Sequence, residues 1–136
     1  MMQPLYPINA NGPGIAIGRY PEDLYDGIDS TTRGNPWYYN FHFELTCRFL
    51  CTNAAAEVIY FTVNEMLQNQ SLYTDDLTNI FYKRFVPSIN GSTTYPANSS
   101  EYQTILQGMV TFADSFMATV QTHARTNGSL NEEFDR

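Results

Sequence analysis

The chain has 136 residues, enough for one modest domain, with 43% apolar and 15% aromatic residues. Its 14 acidic and 7 basic residues give a formal net charge of −7, which argues against a nucleic-acid partner because no basic patch is present to neutralise phosphate. No apolar run approaches membrane-spanning length, and Met1-Met2-Gln3-Pro4 lacks the basic region and long apolar segment of a signal peptide.

Residues 3 to 18 are rich in Pro, Asn and Gly and read as extended coil. They lead into an irregular stretch, Gly18-Arg19-Tyr20-Pro21-Glu22-Asp23, continuing through Tyr25 to Gly34-Asn35-Pro36-Trp37. Pro21 and Pro36 break regular backbone there, and Gly18, Gly27 and Gly34 permit turns. One cation, several carboxylates and flat aromatic rings in a single loop suit a ligand made of hydroxyl-covered rings, such as a sugar. Arg19 offers a planar fork of donors that keeps its charge. Asp23 can accept two hydroxyls, and Trp37 can stack on the apolar face of a pyranose. A purely structural loop, with Arg19 paired to Asp23 or Glu22, is the competing reading.

Tyr38 to Arg48 is crowded with aromatic and bulky groups; it either extends the following helix backward or forms a short extended arm. Phe49 to about Gln68 reads as a helix, because Leu50, Ala54, Ala55, Val58, Ile59, Thr62 and Met66 recur at intervals of three and four. Asn69-Gln70-Ser71 ends it. A shorter helix is expected from about Asp75 to Val86, with Thr74 as N-cap, Asp75 and Asp76 in the first turn and Pro87 beyond its end. Leu77, Ile80, Phe81 and Phe85 mark its expected buried face.

Residues 87 to 99 read as a polar loop. Ser100 opens the longest helix, with Ser100 and Gln103 in a capping-box pattern. Tyr102, Ile105, Leu106, Met109, Phe112, Ala113, Phe116, Met117 and Val120 form its apolar stripe, and Asn127-Gly128 stops it. His123, in its last turn, is structural. No strand pattern is evident, so the expected fold class is all-α.

Cys47 and Cys51 make no disulfide framework. Their spacing, with His42 nearby, falls short of the four ligands a closed zinc site needs. No metal or other cofactor is expected, and Cys51 is read as a small buried apolar residue. N-x-[ST] sequons occur at Asn69, Asn90, Asn98 and Asn127. Each is weak alone, but together they lean toward the secretory route, by secretion or to the vacuole.

The loop words of Gly18–Asp23, Tyr25 and Gly34–Trp37, the following Phe49-Leu50-Cys51-Thr52, and the tail Asn127-Gly128-Ser129-Leu130-Asn131-Glu132-Glu133-Phe134-Asp135 resemble, in order and nearly in spacing, the glucoamylases of glycoside hydrolase family 15. The resemblance covers almost the whole chain. It implies a piece of the C-terminal half of an (α/α)6 toroid, since the family's catalytic domain is several times longer. Residues 1–37 then carry the substrate-binding loop, 38–48 an atypical insertion, 49–126 the helical part and 127–136 the catalytic-base segment. Removing Tyr38–Arg48 rejoins Trp37 to Phe49 and restores the family's usual run, so the insertion reads as a translated intron.

The implied activity is inverting, exo-acting hydrolysis of α-1,4-linked glucose from starch-like α-glucans. Inverting enzymes set a general acid and a general base roughly 6.5–9.5 Å apart, on opposite faces of the sugar. Carried over by motif, Glu132 is the base, and Arg19, Glu22, Asp23, Tyr25, Trp37 and Glu133 contact substrate. Glu133 stands where the family more often has Gln, and Phe134 where Tyr is common. The family's general acid lies in an upstream Trp-Glu-Glu segment that has no match here. Without the resemblance, Glu132 and Glu133 read as a solvated acidic tail. The expected partners are an α-glucan and the missing upstream half of the same domain, with no nucleic acid and no membrane. The alternative is a truncated, non-catalytic, helical carbohydrate-binding remnant.

Overall fold

The structure is a computed structural model that describes Asn9, residues 14–18 and residues 48–130. Among these residues the elements are α1 (Phe49–Asn69), β1 (Ser71–Thr74), α2 (Asn79–Tyr82), β2 (Thr93–Pro96) and α3 (Ser100–His123). The chain divides into two compact units, one of residues 1–56 and 114–136, the other of residues 57–113.

Helix α1 begins at Phe49 as expected, but its buried face is rotated from the expected one. In the first unit Phe49, Thr52 and Ala56 are buried while Leu50 is exposed; in the second Ile59, Val63 and Met66 are buried while Val58 and Phe61 are exposed. The helix carries apolar residues at two phases, and periodicity alone does not tell which phase is covered. The end falls where Asn69-Gln70-Ser71 places it. Gln70 takes a left-handed φ of 53° and its side-chain amide donates to the Leu67 carbonyl, a helix-closing conformation.

The second unit holds an antiparallel β1–β2 ribbon, pairing Leu72 with Tyr95 and Tyr73 with Thr94. The expectation of no strand is therefore corrected. Strands of four residues are too short to show a period of two, and Pro96, with no N–H to donate, sits at the end of the ladder. Ala97 N–H bonds the Gln70 carbonyl at 2.9 Å and continues the pairing one step past β2.

The short helix is also corrected, because only Asn79–Tyr82 is regular. Thr74 is not its cap; it lies in β1, where its hydroxyl donates to the Thr93 carbonyl. Asp75 caps instead. Its carboxylate accepts from the Thr78 N–H at 2.8 Å, and the Thr78 hydroxyl in turn accepts from the Asp75 N–H at 2.8 Å. Several bonds from Ile80 to Phe85 reach back three residues rather than four. Three residues per turn align Asn79, Tyr82 and Phe85 on one side. Asn79 and Tyr82 are consequently buried, whereas the expected Leu77 and Ile80 stand exposed. Phe85 meets Phe81 and Phe112 edge to face, Phe81 and Phe112 are tilted to each other, and the Arg84 guanidinium lies 4.0 Å from the Phe112 centroid.

Helix α3 follows expectation over most of its length. In the second unit Tyr102, Ile105, Met109 and Ala113 are buried, and in the first Phe116 and Val120, while Met117 turns outward. The cap lies one residue earlier than expected. Ser99 Oγ accepts from the Tyr102 N–H at 3.3 Å, while Gln103 reaches back to the Ala97 carbonyl instead of Ser100. A turn in which Ser99 N–H bonds the Pro96 carbonyl brings Ser99 into the cap position.

Candidate functional site

The first unit contains the run-up to the expected sugar loop. Residues 14–18 carry no regular structure, and Ile15, Ala16 and Gly18 are buried. A buried backbone must place its polar groups somewhere. Here they go to side chains and to the two long helices rather than to a sheet. Ile15 N–H donates to the Ser115 carbonyl of α3 at 3.2 Å. The Asn9 side chain accepts the Ala16 N–H at 2.7 Å and donates to the Ala16 carbonyl at 3.0 Å.

Ile17 is held by the start of α1. Thr52 Oγ1 accepts the Ile17 N–H at 3.1 Å and donates to the Ile17 carbonyl at 3.4 Å, and the same carbonyl accepts the Arg48 N–H at 3.0 Å. Thr52 is 0% exposed and Arg48 4%. Close approach explains Gly14: a Cβ there would overlap the Ser115 carbonyl oxygen.

The other end of this unit shapes the approach to the expected base. After α3, Gly128 adopts φ 80° and its N–H bonds the Arg125 carbonyl at 2.8 Å. Asn127 Oδ1 accepts both the Ser129 N–H at 3.0 Å and the Ser129 hydroxyl at 2.8 Å. Arg125 N–H closes back on the Ser129 carbonyl at 3.1 Å. Helix α3 ends at His123, four residues before Asn127 and short of the expected stop, and Asn127-Gly128-Ser129 instead forms a separate turn two residues before Asn131.

The described residues place part of the expected site. Arg19, Glu22, Asp23, Tyr25, Trp37, Glu132 and Glu133 lie outside them, as do His42, Cys47 and Tyr38 to Cys47 of the insertion. Cys51 is half-buried and unpaired by disulfide, not fully buried as expected, because the helix turns it off the Phe49–Thr52–Ala56 face. The four sequon asparagines Asn69, Asn90, Asn98 and Asn127 are all exposed. The roles of Thr52, Asn9 and Ser115 were not legible in sequence. The one hint is that Thr52 shares the helical phase of Phe49 and Ala56, which marks a hydroxyl on a buried face.

Comparison with known proteins fixes the class. The model of the Glycosyl hydrolases family 15 matches residues 1–136, and the chain belongs to that family. Glucoamylase 1 of Rhizopus oryzae is 38% identical over 135 residues, 97% of this chain and 20% of that protein. Glucoamylase GLA1 of Saccharomycopsis fibuligera is 34% identical, across 96% of this chain and 25% of that one. Among solved structures, a family 15 glucoamylase from Hypocrea jecorina superposes with TM-score 0.77 at 27% identity, over 98% of this chain and 20% of that chain. The Hormoconis resinae glucoamylase gives TM-score 0.74 at 30% identity, over 99% and 21%. The chain thus spans about a fifth of the length of these relatives, and its helices are part of an (α/α)6 toroid.

Proposed function

We propose that the full-length protein containing this chain is an inverting, exo-acting glucoamylase that releases glucose from the ends of starch-like α-glucans. In this reading the chain supplies the catalytic-base half of the site. The observation that carries it is the whole-chain family match, supported by the Asn127–Ser129 turn that immediately precedes Leu130-Asn131-Glu132 in sequence. Glu132 takes the proton of the attacking water. Arg19 and Asp23, with Glu22 beside them, bind sugar hydroxyls; Trp37 and Tyr25 line the far side of the cleaved bond; and Glu133 sits next to the base. The general acid comes from the upstream half of the domain, which is the chain's principal partner.

A base-activated water attacking opposite the leaving group inverts the anomeric carbon. Proton NMR of maltose hydrolysis by the full-length protein tests this, with β-glucose expected as the first product. α-Glucose first, or no glucose, refutes it; maltose binding without turnover favours a non-catalytic carbohydrate-binding remnant. The four exposed sequons support passage through the secretory route with N-linked glycans attached. Among the described residues no helix is long and apolar enough to cross a membrane.

A further inference from the structure

We propose that Thr52 is a positioning residue for the sugar-binding loop that starts at Arg19. The inference rests on the reading of Arg19 as a sugar-binding group. Ile17 is two residues from Arg19, and consecutive Cα atoms are about 3.8 Å apart. Ile17 therefore sets the point from which the chain enters Arg19, no more than about 7 Å away.

The anchoring of Ile17 is unusual for a loop edge. Among the described residues no strand pairs with residues 14–18, yet both backbone groups of Ile17 are bonded, and Thr52 bonds each of them through one buried hydroxyl. Thr52 belongs to the first turn of a 21-residue helix, so the loop is referenced to a rigid element rather than to another loop. The Arg48 contact uses backbone N–H alone, and the Asn9 contact falls on Ala16, one residue farther back. Thr52 is thus the side chain, among the described residues, that fixes the last hydrogen-bonded residue before the loop. Its buried hydroxyl replaces the ladder that a neighbouring strand would supply.

The test uses the full-length protein and four variants. Thr52→Val keeps the shape and removes the hydroxyl; Thr52→Ser keeps the hydroxyl; Arg19→Ala removes the proposed sugar contact; Val63→Ala trims a buried side chain elsewhere on the same helix. Thr52→Val is expected to raise KM for maltose about tenfold and to lower kcat/KM by about 10- to 100-fold, since small displacements of positioning groups carry penalties of that size. Thr52→Ser is expected to restore most of both. Val63→Ala is expected to lower Tm with KM unchanged, which separates positioning from general loosening. If Thr52→Val does not fold, Thr52→Ala, smaller and free of any clash, carries the same expectation. Impaired Arg19→Ala beside wild-type kinetics in the Thr52 variant overturns the positioning role alone. Wild-type kinetics in Arg19→Ala overturn the reading of the loop, and the inference with it.

Discussion

The Tyr102 phenol, 1% exposed, donates a 2.8 Å hydrogen bond to the carbonyl of Met66. Met66 is among the last four residues of α1, whose carbonyls lack a partner within the helix. The first turn of α3 thus satisfies the end of α1. Tyr102→Phe leaves that carbonyl buried without its donor, a cost of about 1–3 kcal/mol. Urea denaturation of the full-length protein is expected to show a lower midpoint; an unchanged midpoint would show that the bond adds nothing.

Ahead of α2 the Asp75 carboxylate accepts the Thr78 N–H and the Thr78 hydroxyl, and these hydrogen bonds, the Thr78 N–H first, hold the Asp75 carboxyl below its usual range. A carboxyl with a lowered folded-state pKa stabilises the fold above its ordinary unfolded value. That contribution fades as pH falls through the lowered folded value. The stability difference between wild type and Asp75→Asn is therefore expected to shrink on acidification from pH 6 to pH 3. A difference that stays constant over that interval would rule out the carboxylate as its source.

Val58 and Phe61 are 65% and 62% exposed on α1, on the side away from Ile59, Val63 and Met66, and Leu50 in its first turn is 76% exposed. A helix with apolar residues on two sides is normally covered on both. In the proposed full-length protein the rest of the catalytic domain covers these residues; the relatives are about five times longer than this chain. The isolated 136-residue chain is accordingly expected to be catalytically inactive, to bind a hydrophobic dye and to melt without a cooperative transition. A sharp transition and a monodisperse monomer would contradict this.

Arg48 occupies the position before α1, where its backbone N–H bonds Ile17. A Trp37 joined directly to Phe49 would offer the same N–H, so excising Tyr38–Arg48 leaves that link intact. The excised length is a whole number of codons. The dominant mature transcript is expected to lack them; their retention would make the insertion a real part of the protein.

The two long helices were legible because a 3.6-residue period repeats many times in 21 and 24 residues. The phase of α1 was not, since Leu50 and Val58 are as apolar as Ile59 and Val63 and only the packing neighbours tell the faces apart. The β1–β2 ribbon escaped notice because Ser71–Thr74 and Thr93–Pro96 are each too short to display alternation. The proposed site residues Arg19, Asp23, Trp37 and Glu132 rest on words in the sequence and lie outside the described residues. The Thr52–Ile17 clamp was not legible, because the Thr52 hydroxyl bonds the backbone of a residue 35 positions away, and a backbone partner leaves no signature in the sequence.

The most direct measurement of the central claim is turnover by a Glu132→Gln variant of the full-length protein. The substitution keeps the size of the side chain and removes its basicity, so kcat is expected to fall by about 10²- to 10⁴-fold, with maltose binding retained. Near wild-type turnover by Glu132→Gln would contradict the assignment of this chain as the bearer of the catalytic base.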